Sequence, residues 1–316
     1  MRKLLCLLLL LLLIPTAYAD GDIRYGRTDF TAAPDAGRID FGNLRVYDVN
    51  TLTAFLDQLP KLTEVDMYAT PVRRRTIELL HERYPQIRFG WTMQFAEHSV
   101  RTDATAFSTL HYGNAKVHGT ADISLLRFCK NLRALDFGHN AVNDLSFVRE
   151  LPELRVLICA VNRIDDLEPL ADLPHLEYLE VFTNQITDIT PLLACPHLMD
   201  LNLSYNYISD LSPLKQMTQL KRLWLYGAMD RRDNRTLPET VLHGLRVALP
   251  DTEIDAVHNP TGGTWREHPH FEVIHRMFRT GVYEPFEDSA DTATGTDMHE
   301  EQKEIPDAAT HGVWDF

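Results

Sequence analysis

The sequence predicts an α/β solenoid, with parallel strands on a concave face and short 3-10 or helical turns on a convex face. An apolar pattern recurs every 22 residues between Leu132 and Gly227, and an asparagine recurs at one position within it. Irregular units with helical spacing flank this stretch on both sides, and we expect them to cap the stack. One such unit cannot bury its own apolar face, whereas stacked units bury a continuous core.

Each regular unit begins with a leucine, and further apolar residues follow three and five positions later. The leucines are Leu132, Leu154, Leu176, Leu198 and Leu220. Apolar residues two apart point to one face of a strand, so each unit contributes one short strand to the core. A Pro-Leu step closes three units, as at Pro191-Leu192, and proline discourages the strand from continuing.

The recurring asparagine is predicted to hold the turns together. A buried turn leaves backbone groups that need hydrogen-bond partners, and an asparagine amide offers two donors and an acceptor. We therefore predict a structural asparagine ladder, which ends where Ala228 takes the asparagine position. Its members are Asn140, Asn162, Asn184 and Asn206.

This combination of period, leucines and asparagine resembles the 22-residue class of leucine-rich repeats found in bacterial internalin-type surface proteins. The resemblance implies a leucine-rich repeat horseshoe with helix-containing capping repeats at both ends. It also implies an exported protein that binds other proteins. The C-terminal residues contain no Leu-Pro-x-Thr-Gly wall-sorting motif, which departs from many proteins of that group.

The N-terminus is predicted to be a secretory signal peptide. Basic residues at Arg2 and Lys3 precede an apolar run, and the small-x-small sequence Ala17-Tyr18-Ala19 follows it. The run from Leu4 to Ile14 is much shorter than the roughly 20 residues that span a bilayer. We expect cleavage between Ala19 and Asp20 and a secreted or cell-surface protein, with an uncleaved anchor as the alternative.

The composition divides the chain into seven segments. The predicted boundaries are 1–19 signal peptide, 20–36 loose leader, 37–119 divergent N-terminal repeats and cap, 120–227 regular repeats, 228–257 C-terminal capping repeat, 258–283 turn-rich docked extension and 284–316 acidic disordered tail. Within the extension, Phe271, Ile274 and Phe278 have the spacing of a helical face that could dock on the C-terminal cap. The tail has ten acidic residues against Lys303 alone, which favours disorder.

Three cysteines follow the predicted cleavage site, and we expect all three to be buried thiols. Cys129 and Cys195 are three repeats apart, about 14 Å at the usual strand spacing. A disulfide tolerates no more than about 7 Å between α-carbons, so this pair should not form. Cys159 falls at an inward strand position.

The strand residues that alternate with the core positions form a candidate ligand surface on the concave face. Apolar and aromatic residues in adjacent exposed positions suggest a contact surface, and Tyr, Trp and Arg often dominate binding energy. The predicted ligand-binding residues are Val156, Ile158, Tyr178, Glu180, Phe182, Asp200, Tyr205, Arg222, Trp224 and Tyr226. The expected partner is a protein, with a glycan as the alternative. A C-terminal segment that folds back over this surface is the structural alternative.

Two groups of histidines raise the question of a metal or catalytic site. His98, His111 and His118 lie with Asp103 in residues 92–119, which we interpret as a surface loop. The second group is His268, His270 and His275 with Glu267 and Glu272. Neither has the spacing of a zinc-protease helix, so we predict no catalytic residue, metal or cofactor. A metal-dependent enzyme using the second group, and a structural scaffold or accessory domain, remain alternatives.

The charge of the chain bears on its partners. The formal net charge is −14, and most of it falls in the acidic tail. Nucleic acids and anionic membranes are bound by basic stripes, which the remaining chain lacks. We therefore expect neither as a partner, apart from the membrane contact of the signal peptide. The sequence does not predict an oligomeric state.

Overall fold

A computed structural model describes residues 22–46, 48–95, 98–110, 117–229, 237–259 and 267–289. The chain divides into two compact units, Met1–Thr92 and Met93–Phe316. The predicted signal peptide, its cleavage site and residues 290–316 of the predicted tail lie outside the described residues. Within the described part, no helix is long and apolar enough to cross a membrane.

The first unit consists of irregular strand–helix repeats. Its elements are β1 (Ile23–Arg24), β2 (Thr31–Ala32), β3 (Arg38–Asp40), α1 (Val49–Leu56), β4 (Glu64–Met67), α2 (Arg74–Arg83) and β5 (Arg88–Phe95). Strands β3, β4 and β5 pair in parallel, with Ile39 beside Val65 and Val65 beside Phe89. These three residues are buried, so the strands share one apolar face.

The segment predicted as a loose leader is ordered from residue 22 onward, so that part of the prediction is wrong. Strands β1 and β2 form an antiparallel pair. Tyr25 is buried, and its ring lies 5.5 Å from Phe41 and 5.6 Å from Phe55. Phe30 stacks on Phe41 at 4.8 Å. Two aromatic anchors therefore hold a segment that has no periodic pattern, because such rings bury large areas individually.

The second unit contains a seven-stranded parallel sheet in sequence order from β7 to β13. Its elements are β6 (His98–Arg101), β7 (Ala106–Ser108), α3 (Thr120–Ile123), β8 (Ala134–Asp136), β9 (Val156–Ile158), β10 (Tyr178–Glu180), β11 (Asp200–Asn202), β12 (Arg222–Trp224), α4 (Glu239–Ala248), β13 (Glu253–Asp255) and α5 (Pro269–Thr280). Short 3-10 helices follow the regular strands on the return path: Ser124–Phe128, Ser146–Glu150, Glu168–Asp172, Thr190–Ala194 and Ser212–Gln216. The predicted α/β solenoid is confirmed.

The core of this sheet is the column of central strand residues. Leu135, Leu157, Leu179, Leu201 and Leu223 are adjacent in the strand register and fully buried. Cys129, Cys159 and Cys195 are buried and free, as predicted. Burial raises the pKa of the Cys195 thiol to about 11, so the thiolate is disfavoured.

The sheet begins one strand earlier than the regular repeats predicted. The surface loop expected for residues 92–119 contains a strand of the sheet: β7 pairs in parallel with β8, which places Phe107 beside Leu135. The interpretation as a surface loop is therefore wrong. The sequence pattern does not reveal β7, because this strand keeps only one core residue of the repeat. The first bond of the ladder also differs there, since Asn140 Nδ2 donates to the side-chain Oγ1 of Thr109 at 3.0 Å, whereas Asn162 Nδ2 donates to the backbone oxygen of Phe137 in the preceding turn.

Asn162, Asn184 and Asn206 of the predicted ladder make the same hydrogen bonds in successive turns, and Asn140 differs in donating to a threonine side chain of the preceding turn. Asn184 is typical: Oδ1 accepts from Ile164 N at 3.0 Å, and Nδ2 donates to the carbonyl oxygens of Cys159 and Val181 at 3.0 and 3.1 Å. Each amide thus joins its own turn to the preceding one. At the end of the array Ile208 N donates instead to the backbone oxygen of Ala228 at 3.0 Å, which compensates for the missing asparagine.

Candidate functional site

The concave face of the sheet is formed by two columns of side chains. The strand register aligns Ala106, Ala134, Val156, Tyr178, Asp200 and Arg222 in the first column. It aligns Ser108, Asp136, Ile158, Glu180, Asn202 and Trp224 in the second. The first column is therefore apolar at the β7 end and charged at the β12 end.

Helix α5 covers the apolar part of the first column. Its buried residues His270, Ile274 and Met277 are spaced four and three apart, so they form one helical stripe. Two residues of this stripe, Ile274 and Met277, belong to an apolar cluster with the sheet. That cluster contains Ala106, Ala134, Val156, Tyr178, Met199, Trp224, Ile274, Met277 and Phe286.

The prediction that this helix docks on the C-terminal cap is wrong. Ile274 is buried as expected, but Phe271 and Phe278 are only half-buried, because the stripe is rotated towards Met277. The helix fits the sheet in length: 12 residues rise about 18 Å, and the four spacings from β7 to β11 amount to about 19 Å. The carbonyl of Gly281 at its C-terminal end accepts from Ala106 N at 3.3 Å.

The chain then returns across the same face. Tyr283 N donates to Thr105 Oγ1 at 3.0 Å, and Phe286 stacks on His270 with ring centroids 4.0 Å apart. Ser289 Oγ donates to Glu177 Oε1 at 2.7 Å. We call residues 267–289 the covering segment. The predicted disordered tail is therefore wrong for residues 284–289, which Phe286 anchors.

Five charged or titratable residues, the charged clamp, fix the covering segment to β11 and β12. These residues are Asp200, Lys221, Arg222, His270 and Asp288. Asp200 accepts from Arg222 Nε at 2.7 Å and lies 2.5 Å from His270 Nδ1. The other ring nitrogen, His270 Nε2, lies 2.7 Å from Asp288 Oδ1, and Lys221 Nζ donates to Asp288 Oδ2 at 2.5 Å. His270 thus connects a carboxylate of the sheet with one of the returning chain.

The clamp includes two of the candidate metal ligands. Donor atoms of Asp200, His268 and His270 lie within 4.8 Å of one another. Tetrahedral zinc ligands at about 2.1 Å from the ion would be about 3.4 Å apart, so Asp200 Oδ2 and His270 Nδ1 at 2.5 Å are too close to share an ion. Arg222 Nη2 also lies 2.8 Å from His270 Nδ1 and would repel a cation. The geometry favours an ion-pair network over a metal site.

Of the other candidate histidines, the two whose side chains the structure describes, His118 and His275, do not join this group. His275 stacks on Phe271 on the helix, with ring centroids 6.4 Å apart. His118 is buried, and its backbone N–H donates to Asn140 Oδ1 at 2.8 Å, so it belongs to the asparagine ladder. His111 lies outside the described residues.

The structure buries most of the predicted ligand-binding residues. Val156, Tyr178, Glu180, Phe182, Asp200 and Trp224 are buried, whereas Ile158, Tyr205, Arg222 and Tyr226 are half-buried. This differs from the open surface that the sequence suggested and corresponds to the alternative in which a C-terminal segment covers it. The binding role of these residues stays a prediction. Sequence reasoning also missed Asp288 and Lys221, which have no shared motif with Asp200.

Carboxyl groups are buried on the same face. Asp136 accepts from Ser108 Oγ at 2.7 Å and from Gly138 N at 2.8 Å, yet burial raises its pKa to about 6. Glu180 accepts from the Tyr178 hydroxyl at 2.6 Å. Burying such groups costs free energy even when they are hydrogen-bonded, so this face is less favourable as a permanent core than an apolar one.

His268 gives the covering segment an expected pH dependence. Its ring lies 5.8 Å from Tyr178 and 5.5 Å from Trp224, and burial lowers its pKa to about 4. The unfolded chain takes up this proton near pH 6.5 and the folded chain does not, so stability should fall as the pH drops towards 4. Between pH 7 and 4.5 the loss should be about 2.5 kcal/mol.

Urea unfolding of the parent and of His268→Phe at these two pH values checks this expectation. Phenylalanine keeps a ring between Tyr178 and Trp224 but has no titrating group, so the variant should lose about 2.5 kcal/mol less than the parent. Asp136 changes stability with the opposite sign, because its folded-state pKa is raised, but it contributes equally to both proteins. Equal pH dependence in the two proteins would contradict the assignment.

Comparisons with known proteins agree with the repeat architecture. A family model described as Leucine Rich repeats (2 copies) matches residues 152–194, and one described as Leucine Rich repeat matches residues 128–145 and 194–211. The chain therefore carries leucine-rich repeats. No curated protein matches the chain.

Solved structures with similarity to this chain include two internalins of Listeria monocytogenes. The internalin InlF is 24% identical, with 69% of this chain and 59% of that chain covered and a TM-score of 0.39. Internalin C2 is 20% identical, with 69% and 80% covered and a TM-score of 0.36. A leucine-rich repeat protein of Leptospira interrogans is 18% identical, with 68% and 48% covered and a TM-score of 0.34. The chain thus spans less than two thirds of the length of InlF.

Proposed function

We propose that this chain is an exported, non-enzymatic recognition module that binds a protein through its concave face. Leucine-rich repeat proteins are typically protein-binding modules and usually not enzymes. The observation that carries the proposal is the seated helix α5, whose aliphatic stripe packs on the first column. A surface that holds a helix of its own chain has the side chains needed to hold a helix of another protein. The export rests on the sequence of residues 1–19 alone.

The half-buried tyrosines at the edge of this face are the best positions for a test. Tyr205 and Tyr226 lie edge to face with ring centroids 5.3 Å apart, and neither belongs to the apolar cluster of the covering segment. Tyrosine is enriched among residues that dominate binding energy. Their replacement should therefore affect a ligand more than it affects the fold.

We expect Tyr205→Ala/Tyr226→Ala to weaken binding of a captured partner by about 30-fold, equivalent to about 2 kcal/mol. The partner is first captured from surrounding cells and matrix by immobilised full-length protein and then titrated by calorimetry. Tyr207→Ala is the matched control, because Tyr207 is also half-buried but comes directly after the ladder residue Asn206, beyond the strand residues of the concave face. Equal affinities for the parent and both variants would contradict binding at this face.

A structural scaffold is the second candidate, and the covered concave face favours it. A face filled by the chain's own segment needs no partner. In that case size-exclusion chromatography over a range of concentrations should show self-association, and the concave-face variants should leave it unchanged. A monomer at all concentrations would count against this alternative.

A further inference from the structure

The covering segment resembles a bound ligand more than a part of the repeat core. It contributes no strand to the sheet, and it contacts the sheet through one helical stripe, several aromatic rings and a few polar groups. It is held near β7, where Ala106 N donates to Gly281 O and Tyr283 N donates to Thr105 Oγ1, and near β11 and β12 by the charged clamp. The repeats are joined separately, through strand pairing and the asparagine ladder.

The clamp makes this attachment conditional on charge. Asp288 and Lys221 are partly exposed, with side-chain exposures of 39% and 41%, so solvent and competing charges reach this end of the segment. Asp200 and His270 are buried. Burying a charged group becomes unfavourable when the group loses a partner of its network. Loss of the Asp288 contact therefore favours release of His270 from the sheet.

The fit of the covering segment is also incomplete. Asn202 Nδ2 and Ser204 Oγ are buried on the concave side of β11 and the turn that follows it, and no described residue gives either atom a hydrogen-bond partner. An unmet buried donor is unfavourable, so a ligand that brings a carbonyl oxygen to this position gains a contact that α5 does not make. A better ligand for the same face can therefore exist.

We propose that the covering segment is a built-in competitor for the concave face, and that the partner this face fits is an amphipathic helix with the same aliphatic stripe. The inference rests on the proposed function of the face. The partner helix places two aliphatic side chains, spaced like Ile274 and Met277, against Val156 and Tyr178. Binding then requires α5 to leave, so the charged clamp sets the affinity of the protein for its partner.

The test uses the full chain and a fluorescein-labelled synthetic peptide of residues 267–289. In Ile274→Asp/Met277→Asp, hereafter the release variant, the competitor stripe is charged while every residue of the sheet is kept. We expect the peptide to bind the release variant at least about 30-fold more tightly than the parent, because a tethered segment competes at roughly millimolar effective concentration. A peptide with the same two aspartates is the matched control and should not bind.

A second variant guards against misfolding of the first. Asp288→Asn/Lys221→Met loosens the clamp at its partly exposed end and leaves the apolar stripe intact, and it should bind the peptide several-fold more tightly than the parent. The proposal that the covering segment is a competitor is overturned if the parent and both variants bind the peptide equally. It is also overturned if a folded release variant does not bind the peptide. These results are independent of partner capture. If the peptide binds as expected but no partner is captured, the competitor proposal stands and the proposed recognition function is contradicted.

Discussion

Replacing Asp200 by alanine is expected to lower the free energy of unfolding by about 3–5 kcal/mol. Asp200 is completely buried and accepts two hydrogen bonds from Arg222, at 2.7 and 3.1 Å. Its loss leaves the Arg222 side chain, which is only 13% exposed, and the buried ring of His270 without their shared anion. Urea denaturation at neutral pH measures the difference.

Two controls separate this effect from the removal of any aspartate. Asp188 is exposed and accepts a hydrogen bond from Thr190 N at 2.8 Å in its own turn, so Asp188→Ala should cost only about 0.5–1.5 kcal/mol. Asp200→Leu/Arg222→Leu removes both charges and should recover most of the loss. A single Asp200→Ala variant no less stable than Asp188→Ala would contradict the clamp.

Asn184→Ala is expected to cost about 3 kcal/mol, because one substitution removes several buried hydrogen bonds. The amide of Asn184 is fully buried and bonds to Ile164 N and to the carbonyl oxygens of Cys159 and Val181. Alanine leaves those backbone groups buried with no replacement. The change is measured as the shift in the urea midpoint at constant slope.

The matched control for the ladder is Asn143→Ala. Asn143 is exposed and shares hydrogen bonds with Thr120, so water can replace its amide. This variant should lose less than about 1 kcal/mol. If the two asparagine variants were equally stable, the ladder would be dispensable and the strands alone would hold the repeats together.

The regular repeats could be predicted because their residues report local geometry. The spacing of Leu135 and Phe137 specifies one buried face of a strand, and Asn140 specifies the turn after it, at every recurrence. Strand β7 was missed because Ala106 and Ser108 are small and Phe107 alone keeps the pattern. The hairpin at Tyr25 was missed for a related reason, since isolated aromatic anchors produce no period.

The covering segment could be predicted as a helix but not placed. Its stripe matches any apolar surface of suitable length, and the sequence does not say which surface it meets. His270 and Asp200 are 70 residues apart, so no local spacing relates them. One signal was available in the repeats themselves: Ala134, Val156 and Tyr178 give the predicted concave face an apolar row that water would not favour.

Hydrogen–deuterium exchange of the full chain tests the central claim most directly, that residues 267–289 occupy the concave face as a separable segment. In the parent, amides of α5 should be protected. In the release variant they should exchange rapidly while those of β8 to β11 stay protected. Rapid exchange of α5 in the parent would show that the face is open. Loss of protection in the strands together with α5 would show that the segment is an inseparable part of the core.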